Sequence, residues 1–179
     1  DYSRERVPTL CEVFELSGRR SRALYVDMKF EAGEGVTALA AEVVRQIRAH
    51  RLEEVCVVES FALEAVGEVK RVAPDLRAAA LFERRVTRPF PTRRAIVERA
   101  LACRADELAL HRTLARPALV REGLTRGLRT VVWTADHPSW ARRAVELGLR
   151  GVITNRPAEM RAALLAHLRT TGGRARRTR

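Results

Sequence analysis

The stretch TVVWTADHPSWARRAVELGLRGVITN, residues 130–155, decides the fold of this chain. It opens with an apolar, β-branched run at Thr130–Thr134, and a second such run closes it at Gly151–Asn155. Between the two runs, Pro138 begins a helical segment and Gly148 ends it, because proline suits the first turn of a helix and glycine suits its end. Short apolar runs that alternate with helices are typical of parallel βα units, since a parallel strand is covered on both faces.

The same pattern extends from this stretch towards the N-terminus. A helix with a capping box, Thr9 followed by Glu12, is predicted first. Four more apolar runs come after it, each followed by a helical segment, and they predict strands at Ala23–Lys29, Val55–Ser60, Leu76–Phe82 and Glu107–His111. The sequence therefore predicts one helix followed by six βα units.

A parallel sheet of this kind belongs either to an open doubly wound fold or to a barrel. Neither GxGxxG nor GxxxxGK[ST], the phosphate-binding motifs of open sheets, follows any predicted strand. A complete TIM barrel has eight βα units in about 250 residues, whereas this chain has 179 residues. We predict an α/β fold of the TIM-barrel type, incomplete, over residues 1–170, and a basic disordered tail over residues 171–179. Functional residues are expected where the strands end.

The composition limits which partners are expected. No run of about 18 apolar residues occurs, so no membrane span is predicted. The net charge of +12 comes mostly from arginine, and a basic segment, GGRARRTR, ends the chain. A basic chain can bind nucleic acid or anionic lipid, but a single-stranded nucleic-acid surface also needs aromatic rings, and aromatic residues are only 5% of this chain. We expect no nucleic-acid partner, and the oligomeric state stays open.

Three cysteines, Cys11, Cys56 and Cys103, are widely spaced and form no CxxC pair. Their number is odd and their spacing is irregular, so neither a zinc site nor a disulfide framework is predicted. Each cysteine lies in an apolar stretch and is predicted to be a small core residue. Reduced thiols are consistent with a cytoplasmic location, which we therefore expect.

Segments spread over nearly the whole chain carry a family likeness: VPTLCEVFEL (7–16), YVDMK (25–29), VVESF (57–61), APDLRAAALF (73–82), GLRTVVWTAD (127–136) and ELGLRGVITNRP (146–157). In order and spacing they resemble the glycerophosphodiester phosphodiesterase family. The resemblance implies a TIM barrel that hydrolyses glycerophosphodiesters to glycerol 3-phosphate and an alcohol, in lipid and glycerol metabolism. It also implies a divalent cation, Mg²⁺ or Ca²⁺, and it makes the predicted strands the third to the eighth of the barrel.

The resemblance places a glutamate-x-lysine pair of the family on Asp27 and Lys29. Residues two apart on a strand point to the same side, so the carboxylate can hold a hard cation while the ammonium neutralises phosphate oxygens. Asp27 is thus the predicted metal ligand, and Lys29 is the predicted catalytic residue. Aspartate is shorter than glutamate by one methylene, about 1.5 Å of reach, so Asp27 is expected to contact the metal from a shifted position or through a water. Without the family, this pattern would indicate an ordinary ion pair.

Trp133 and Glu59 are the predicted substrate-binding residues. The resemblance gives Trp133 a place in the pocket wall near the glycerol portion of the substrate, where a core aromatic is the alternative. Glu59 ends a strand at the same mouth. Asn155 replaces an aspartate of the family, and because both residues cap helices well, we interpret it as structural. His111 also ends a strand, and we interpret it as a hydrogen-bonded structural residue.

The family motifs that supply the two acid/base histidines and most metal ligands are missing from this sequence, which contains no histidine-arginine-glycine, glutamate-x-aspartate or histidine-aspartate segment. We expect two barrel strands with these motifs to precede Asp1, and two exposed parallel sheet edges in their absence. Loss of an acid/base residue typically costs about 10² to 10⁴-fold in rate. The chain alone is therefore expected to be inactive.

Two other functions are compatible with the same sequence. The first is a non-catalytic, degenerate barrel that binds anionic lipid or nucleic acid through its arginine-rich surface. The second is an enzyme for sugar phosphates or small acids, because one barrel supports many reactions. Asp27, Lys29 and Trp133, in family order, favour the phosphodiesterase.

Overall fold

The structure is a computed structural model, and it describes residues 6–29, 35–84 and 91–175. A helix opens the described chain, and six strands follow, each succeeded by a helix. The bounds are α1 Leu10–Ser17, β1 Leu24–Asp27, α2 Val36–Ala49, β2 Cys56–Ser60, α3 Leu63–Val72, β3 Arg77–Phe82, α4 Arg93–Ala102, β4 Glu107–His111, α5 Pro117–Thr125, β5 Arg129–Trp133, α6 Ser139–Leu147, β6 Gly151–Val152 and α7 Pro157–Ala175.

The strands of the sheet follow one another in chain order, from β1 to β6. Strands in chain order, each followed by a helix, are the arrangement of a TIM barrel, which has eight such units when complete. The predicted fold class, α/β and of an incomplete TIM-barrel type with one helix and six βα units, is confirmed.

Two compact units divide the chain, the first made of Asp1–Ala80 and Ala100–Ala105, the second of Leu81–Arg99 and Asp106–Arg179. In the first unit β1 and β2 are parallel, and so are β2 and β3. Every residue of β2 is buried, as expected of a parallel strand with both faces covered. The second unit contains the parallel pairs β4 with β5 and β5 with β6.

The core of the first unit is formed by the apolar faces of α2 and α3 together with side chains of the sheet. Its members include Val43, Ile47, Val69, Val58 and Cys56. The spacing of Val43 and Ile47, one helical turn apart, is the period that predicted α2. A second core cluster, in the second unit, contains Trp140, Val132 and Met160.

The prediction for the cysteines is correct for two of them and wrong for the third. Cys56 and Cys103 are buried, whereas Cys11 is only partly buried. Cys11 lies on α1, whose one buried side chain is Phe14. The apolar stretch around Cys11 is therefore a helix that buries Phe14 fully, whereas the Cys11 thiol stays partly buried beside His50.

Two helix ends, the N-terminus of α1 and the C-terminus of α6, have the caps that the sequence predicted. At α1, the Glu12 N–H donates to Thr9 Oγ1 at 3.3 Å, and the Thr9 N–H donates to Glu12 Oε2 at 2.8 Å, so the capping box is confirmed. At α6, Gly148 has φ of +64° and caps the helix in the left-handed conformation. Glycine adopts that conformation without the steric cost that a Cβ would add.

The last strand is shorter than predicted. A strand was expected over Gly151–Asn155, but β6 ends at Val152. Beyond it, the Asn155 N–H donates to Asp136 Oδ1 at 2.7 Å, and Thr154 Oγ1 donates to the same oxygen at 3.0 Å. The carboxylate of Asp136, three residues beyond β5, therefore accepts the Asn155 N–H, which a longer strand would have donated to a backbone carbonyl.

Glu107 and Lys70 are charged side chains that lie in the interior, and both have partners. Glu107, at the start of β4, is 2% exposed and its Oε1 lies 2.9 Å from Arg150 Nε. Lys70, on α3, donates from Nζ to the carbonyl oxygens of Pro74 at 2.9 Å and Leu76 at 2.8 Å. Burying a charge is costly unless it is paired and hydrogen-bonded, and these contacts meet that requirement.

Arginine side chains on the exposed helix faces pair with nearby glutamates. Examples are Arg45 with Glu42, Arg71 with Glu68 and Arg156 with Glu159, at N–O distances of 2.6, 2.9 and 2.6 Å. Such pairs reduce the local positive charge that a polyanion would meet. The absence of a nucleic-acid partner stays a prediction.

At the C-terminus, α7 continues to Ala175. The predicted tail at 171–179 thus begins within this helix, and residues 176–179 lie outside the described part. Pro89 and Pro91 indicate a loop at 84–92, and most of it, at 85–90, also lies outside the described part. Among the described residues, every helix is too short or too polar to cross a lipid bilayer.

Loss of the cation beside Glu107 is expected to destabilise the fold. Replacing Arg150 by methionine keeps most of the aliphatic stem but removes the ion pair to a carboxylate that is 2% exposed. Breaking a buried pair from one side typically costs about 3–5 kcal/mol in the free energy of unfolding. Urea denaturation followed by circular dichroism measures this loss in the free energy of unfolding.

The matched control is Arg126→Met, because Arg126 and Glu98 form an exposed pair worth about 1 kcal/mol or less. Equal losses in the two variants would contradict the prediction.

Asp136 is expected to stabilise the protein in a pH-dependent way. Hydrogen bonds from Asn155, first from its backbone N–H and then from its side chain, lower the pKa of Asp136. A lowered pKa in the folded state means that the stabilisation is present above the unfolded pKa of about 3.9 and is lost as the pH falls through the folded value. Melting temperatures of wild type and Asp136→Asn should differ at pH 7 and converge in acid. Curves that stay parallel from neutral to acidic pH would contradict this assignment.

Candidate functional site

The carboxyl ends of β1 and β2, in the first unit, carry three charged side chains that the sequence singled out. Asp27 is the last residue of β1, and Lys29 follows two residues later. Lys29 Nζ lies 3.1 Å from Asp27 Oδ2, and 78% of the lysine side chain and 33% of the aspartate side chain are exposed. The pair therefore lies at the surface, where it is open to a ligand.

Glu59 stands beside Asp27 on the neighbouring strand. The two residues are register partners in the parallel β1–β2 ladder, and partners in a ladder point to the same face of a sheet. Glu59 is only 6% exposed, so its carboxylate lies deeper than that of Asp27. Two carboxylates and one ammonium leave a net negative charge, and carboxylate oxygens are the ligands that Mg²⁺ and Ca²⁺ prefer. The residues present thus fit a hard divalent cation by their chemistry.

The backbone between Asp27 and Lys29 is held by the neighbouring strand on both sides of Met28. The Met28 N–H donates to the Glu59 carbonyl at 2.8 Å. The buried hydroxyl of Ser60 donates to the Met28 carbonyl at 2.7 Å. These bonds extend the ladder past the end of β1 and orient Asp27 and Lys29. Sequence reasoning missed this role of Ser60, although a hydroxyl at the end of a fully buried strand was the available signal.

In the second unit, Trp133 ends β5 and stands against β4. Its Nε1–H donates to the Ala109 carbonyl at 3.1 Å. Its ring meets the His111 ring edge to face, with centroids 5.1 Å apart. Trp133 is half-buried, so it is a strand-end aromatic with one exposed part. The hydrogen bond satisfies its polar atom, and the exposed part of the ring offers an apolar surface.

His111 is held in a hydrogen-bond network of its own. Arg112 donates from Nη1 to His111 Nε2 at 3.3 Å, and His111 Nδ1 lies 2.9 Å from Thr113 Oγ1. The Thr113 N–H also donates to Nδ1 at 3.4 Å, and since a guanidinium and a backbone amide can only donate, each ring nitrogen faces a donor. Burial, and then the charge of Arg112, lower the pKa of His111. The ring is therefore neutral near pH 7, as a structural histidine would be.

Asn155 connects the ends of β5 and β6 by a contact that the sequence did not indicate. Both its N–H and its side-chain amide donate to the carboxylate of Asp136, at 2.7 and 3.1 Å. The amide is structural, as interpreted, but it does this by holding a loop rather than through the helix-cap contact that was expected. Asp136 itself went unnoticed in the sequence because an acid just after a strand has many uses.

The predicted site residues thus fall into two groups. Asp27, Lys29 and Glu59 lie together in the first unit, at the ends of adjacent strands. Trp133 lies in the second unit, beside His111. Each group occupies the strand ends at which a βα fold places its chemistry.

Known proteins share this fold and sequence. A curated relative, the glycerophosphodiester phosphodiesterase of Caldanaerobacter subterraneus subsp. tengcongensis, is 26% identical over 161 residues, which cover 87% of this chain and 61% of the relative. This chain thus spans less than two thirds of that relative's length.

Solved structures agree with the assigned fold. A glycerophosphodiester phosphodiesterase from Parabacteroides distasonis superposes with a TM-score of 0.76 at 18% identity, covering 91% of this chain and 66% of that one. An Oleispira antarctica phosphodiesterase, in complex with the product sn-glycerol-3-phosphate, superposes with a TM-score of 0.76 at 20% identity, covering 91% of this chain and 63% of that one.

A protein-family model also matches most of the chain. The model of the glycerophosphoryl diester phosphodiesterase family matches residues 1–159. Because that match takes in far more than half of the sequence, the chain belongs to the glycerophosphoryl diester phosphodiesterase family.

Proposed function

We propose that this chain supplies part of the active site of a metal-dependent hydrolase that cleaves glycerophosphodiesters to glycerol 3-phosphate and an alcohol. The observation that carries the proposal is the cluster of Asp27, Lys29 and Glu59 at the ends of adjacent parallel strands. Membership of the family supports the substrate class. In the Oleispira antarctica relative, the product sn-glycerol-3-phosphate is bound.

Asp27 is the residue that would hold the cation, Mg²⁺ or Ca²⁺. Its carboxylate is partly exposed and is oriented by the bonds on either side of Met28. The buried carboxylate of Glu59 adds negative charge on the same face, which favours a dication, and it can accept hydrogen bonds from substrate hydroxyls. When bound, the cation would polarise the phosphate group and stabilise negative charge on its oxygens.

Lys29 would stabilise the charge that develops on the phosphate. Its ammonium carries a full positive charge on an exposed, flexible side chain, 3.1 Å from Asp27. A phosphate that approaches the cation would also meet this ammonium, and a fixed positive charge beside a developing negative charge lowers the barrier. Lys29 is therefore the proposed catalytic residue.

Trp133 would contact the glycerol portion of the substrate. Its N–H is engaged with the Ala109 carbonyl, which fixes the ring against β4. What the ring then offers to a ligand is its apolar surface. Such a surface suits the carbon atoms of glycerol.

This polypeptide alone is proposed not to turn over substrate. Proton transfer to the leaving alcohol needs an acid, and removal of a proton from the nucleophile needs a base. The sequence contains none of the family motifs that carry these histidines, and both ring nitrogens of His111 are engaged by Arg112 and Thr113. Acid/base catalysis would have to come from residues outside this sequence.

The purified chain is expected to release no glycerol 3-phosphate from glycerophosphocholine above the rate without protein, with either Mg²⁺ or Ca²⁺ present. Missing acid/base residues cost about 10² to 10⁴-fold each, which places the rate below detection. A coupled assay for glycerol 3-phosphate measures it. Cation-dependent release that disappears in Lys29→Met would show that the chain is active by itself and would overturn this part of the proposal.

The activity itself is tested in a longer polypeptide. If the upstream coding sequence contains the histidine-arginine-glycine and histidine-aspartate motifs, the extended chain should hydrolyse glycerophosphocholine when a divalent cation is present. Lys29→Met should then lower kcat by about 10²-fold or more, as expected for loss of a charge that stabilises the transition state. Arg71→Met, at an exposed helix pair, is the matched control. An extended chain that carries both motifs and has no cation-dependent activity would refute the proposed function.

Cation binding can be tested on the present chain. Mn²⁺, a paramagnetic ion that binds oxygen ligands, should broaden the amide NMR signals around residues 27 and 59. Asp27→Asn should weaken this broadening by removing the charge that attracts the ion. The matched control, Asp75→Asn, removes a different exposed carboxylate that pairs with Arg48 and should have no effect. Equal broadening in wild type and Asp27→Asn would exclude Asp27 as a ligand.

A further inference from the structure

A second cluster of side chains, away from the strand ends, combines a thiol, an imidazole and a carboxylate. Cys11 and Glu15 lie on α1, four residues apart, and His50 follows the C-terminus of α2. Residues four apart share one face of a helix. One potential ligand atom from each of the three residues lies within 4.8 Å of the others.

The two distances from the Cys11 sulfur match those between ligand atoms of a tetrahedral metal site. Cys11 Sγ lies 3.4 Å from His50 Nε2 and 3.7 Å from Glu15 Oε1. Around Zn²⁺, with Zn–S of about 2.3 Å and Zn–N or Zn–O of about 2.0 Å, ligand atoms at tetrahedral angles are about 3.5 Å apart. The sulfur thus already lies at about the distance from each partner atom that two ligands of one Zn²⁺ ion would have. Glu15 is exposed, so its carboxylate can adjust to complete the set.

His50 is held with the correct nitrogen towards the cluster. Its Nδ1 lies 2.9 Å from the Gln46 carbonyl oxygen, which can only accept, so Nδ1 carries the proton. The lone pair is then on Nε2, the atom that faces Cys11. The Phe14 ring meets the imidazole edge to face at 5.5 Å. Metal-binding histidines are oriented in this way by a second hydrogen bond.

We propose that Cys11, His50 and Glu15 form a site for Zn²⁺ or a similar late transition-metal ion, which joins α1 to the end of α2. A thiolate and an imidazole select such ions over Mg²⁺ and Ca²⁺, so this site differs in chemistry from the cluster at Asp27. A thiolate and a carboxylate together neutralise the dication, and a water would complete a four-coordinate shell.

Two carboxylates, Glu15 and Glu12, lie near the Cys11 thiol. Burial, and then Glu15 and Glu12, raise the pKa of the Cys11 thiol, while Arg45 acts weakly in the opposite direction. Arg45 is itself engaged with Glu42, at 2.7 and 2.6 Å. A cation that displaces the thiol proton would relieve the negative charge gathered at this point.

Co²⁺ is the probe for the site, because a bound thiolate gives a charge-transfer band in the near ultraviolet and tetrahedral Co²⁺ gives visible bands. Titration of the full chain should give both, with one ion per chain, and Zn²⁺ should displace them. Cys11→Ser should abolish the charge-transfer band. Glu15→Gln, at an exposed position that the fold does not need, should weaken binding by about tenfold or more. The matched control, Cys103→Ala, removes a buried thiol and should leave the spectrum unchanged.

The melting temperature gives an independent readout, since an ion that binds only the folded state stabilises it. Zn²⁺ should raise the melting temperature of wild type and of Cys103→Ala, but not that of Cys11→Ser, with circular dichroism showing that each variant is folded without metal. Failure of wild type to give a charge-transfer band would overturn the proposal. The same band in Cys11→Ser would overturn it as well.

Discussion

The parallel ladder between β1 and β2 is the constraint on which the proposed site depends. It pairs Asp27 with Glu59, and its hydrogen bonds continue one residue beyond β1, where Met28 is held by the Glu59 carbonyl and by Ser60. A shift of one residue would turn every side chain to the opposite face of the sheet. The buried side chains of β2 prevent such a shift, so packing of the core holds the charged cluster in place.

Charged side chains with a structural role and those of the Asp27–Lys29 pair differ in their exposure to solvent. Glu107 and Lys70 are buried, and each is matched by a specific partner, the first by Arg150 and the second by two carbonyl oxygens. The pair of Asp27 and Lys29 is exposed instead, so its contribution to stability is small. An ion pair that adds little stability, at the end of a strand, remains available to an incoming phosphate.

The two proposed metal sites of the first unit differ in the hardness of their ligands. The cluster at Asp27 offers carboxylate oxygens, whereas Cys11 and His50 offer sulfur and nitrogen. We therefore expect Mg²⁺ or Ca²⁺ at the carboxylates and Zn²⁺ or a similar ion at the thiol and imidazole. Their positions differ as well, since one lies at strand ends and the other between two helices. One can be expected to serve catalysis and the other to stabilise the packing of α1 on α2.

The sequence by itself determined the order of helices and strands and the fold class, because hydrophobic periodicity and capping residues are local signals. The family resemblance and the strand ends singled out Asp27, Lys29, Glu59 and Trp133, and their roles in a site stay predictions. Only the tertiary structure decided which polar groups meet. Asp136 accepts from Asn155 beyond the end of β6, Ser60 supports Met28 from 32 residues away, and Cys11 lies beside His50 across 39 residues. The spacing of the cysteines predicted no zinc site, since a ligand set drawn from separate helices leaves no regular spacing along the chain. Contacts of this kind follow from how elements pack, and no single segment encodes them.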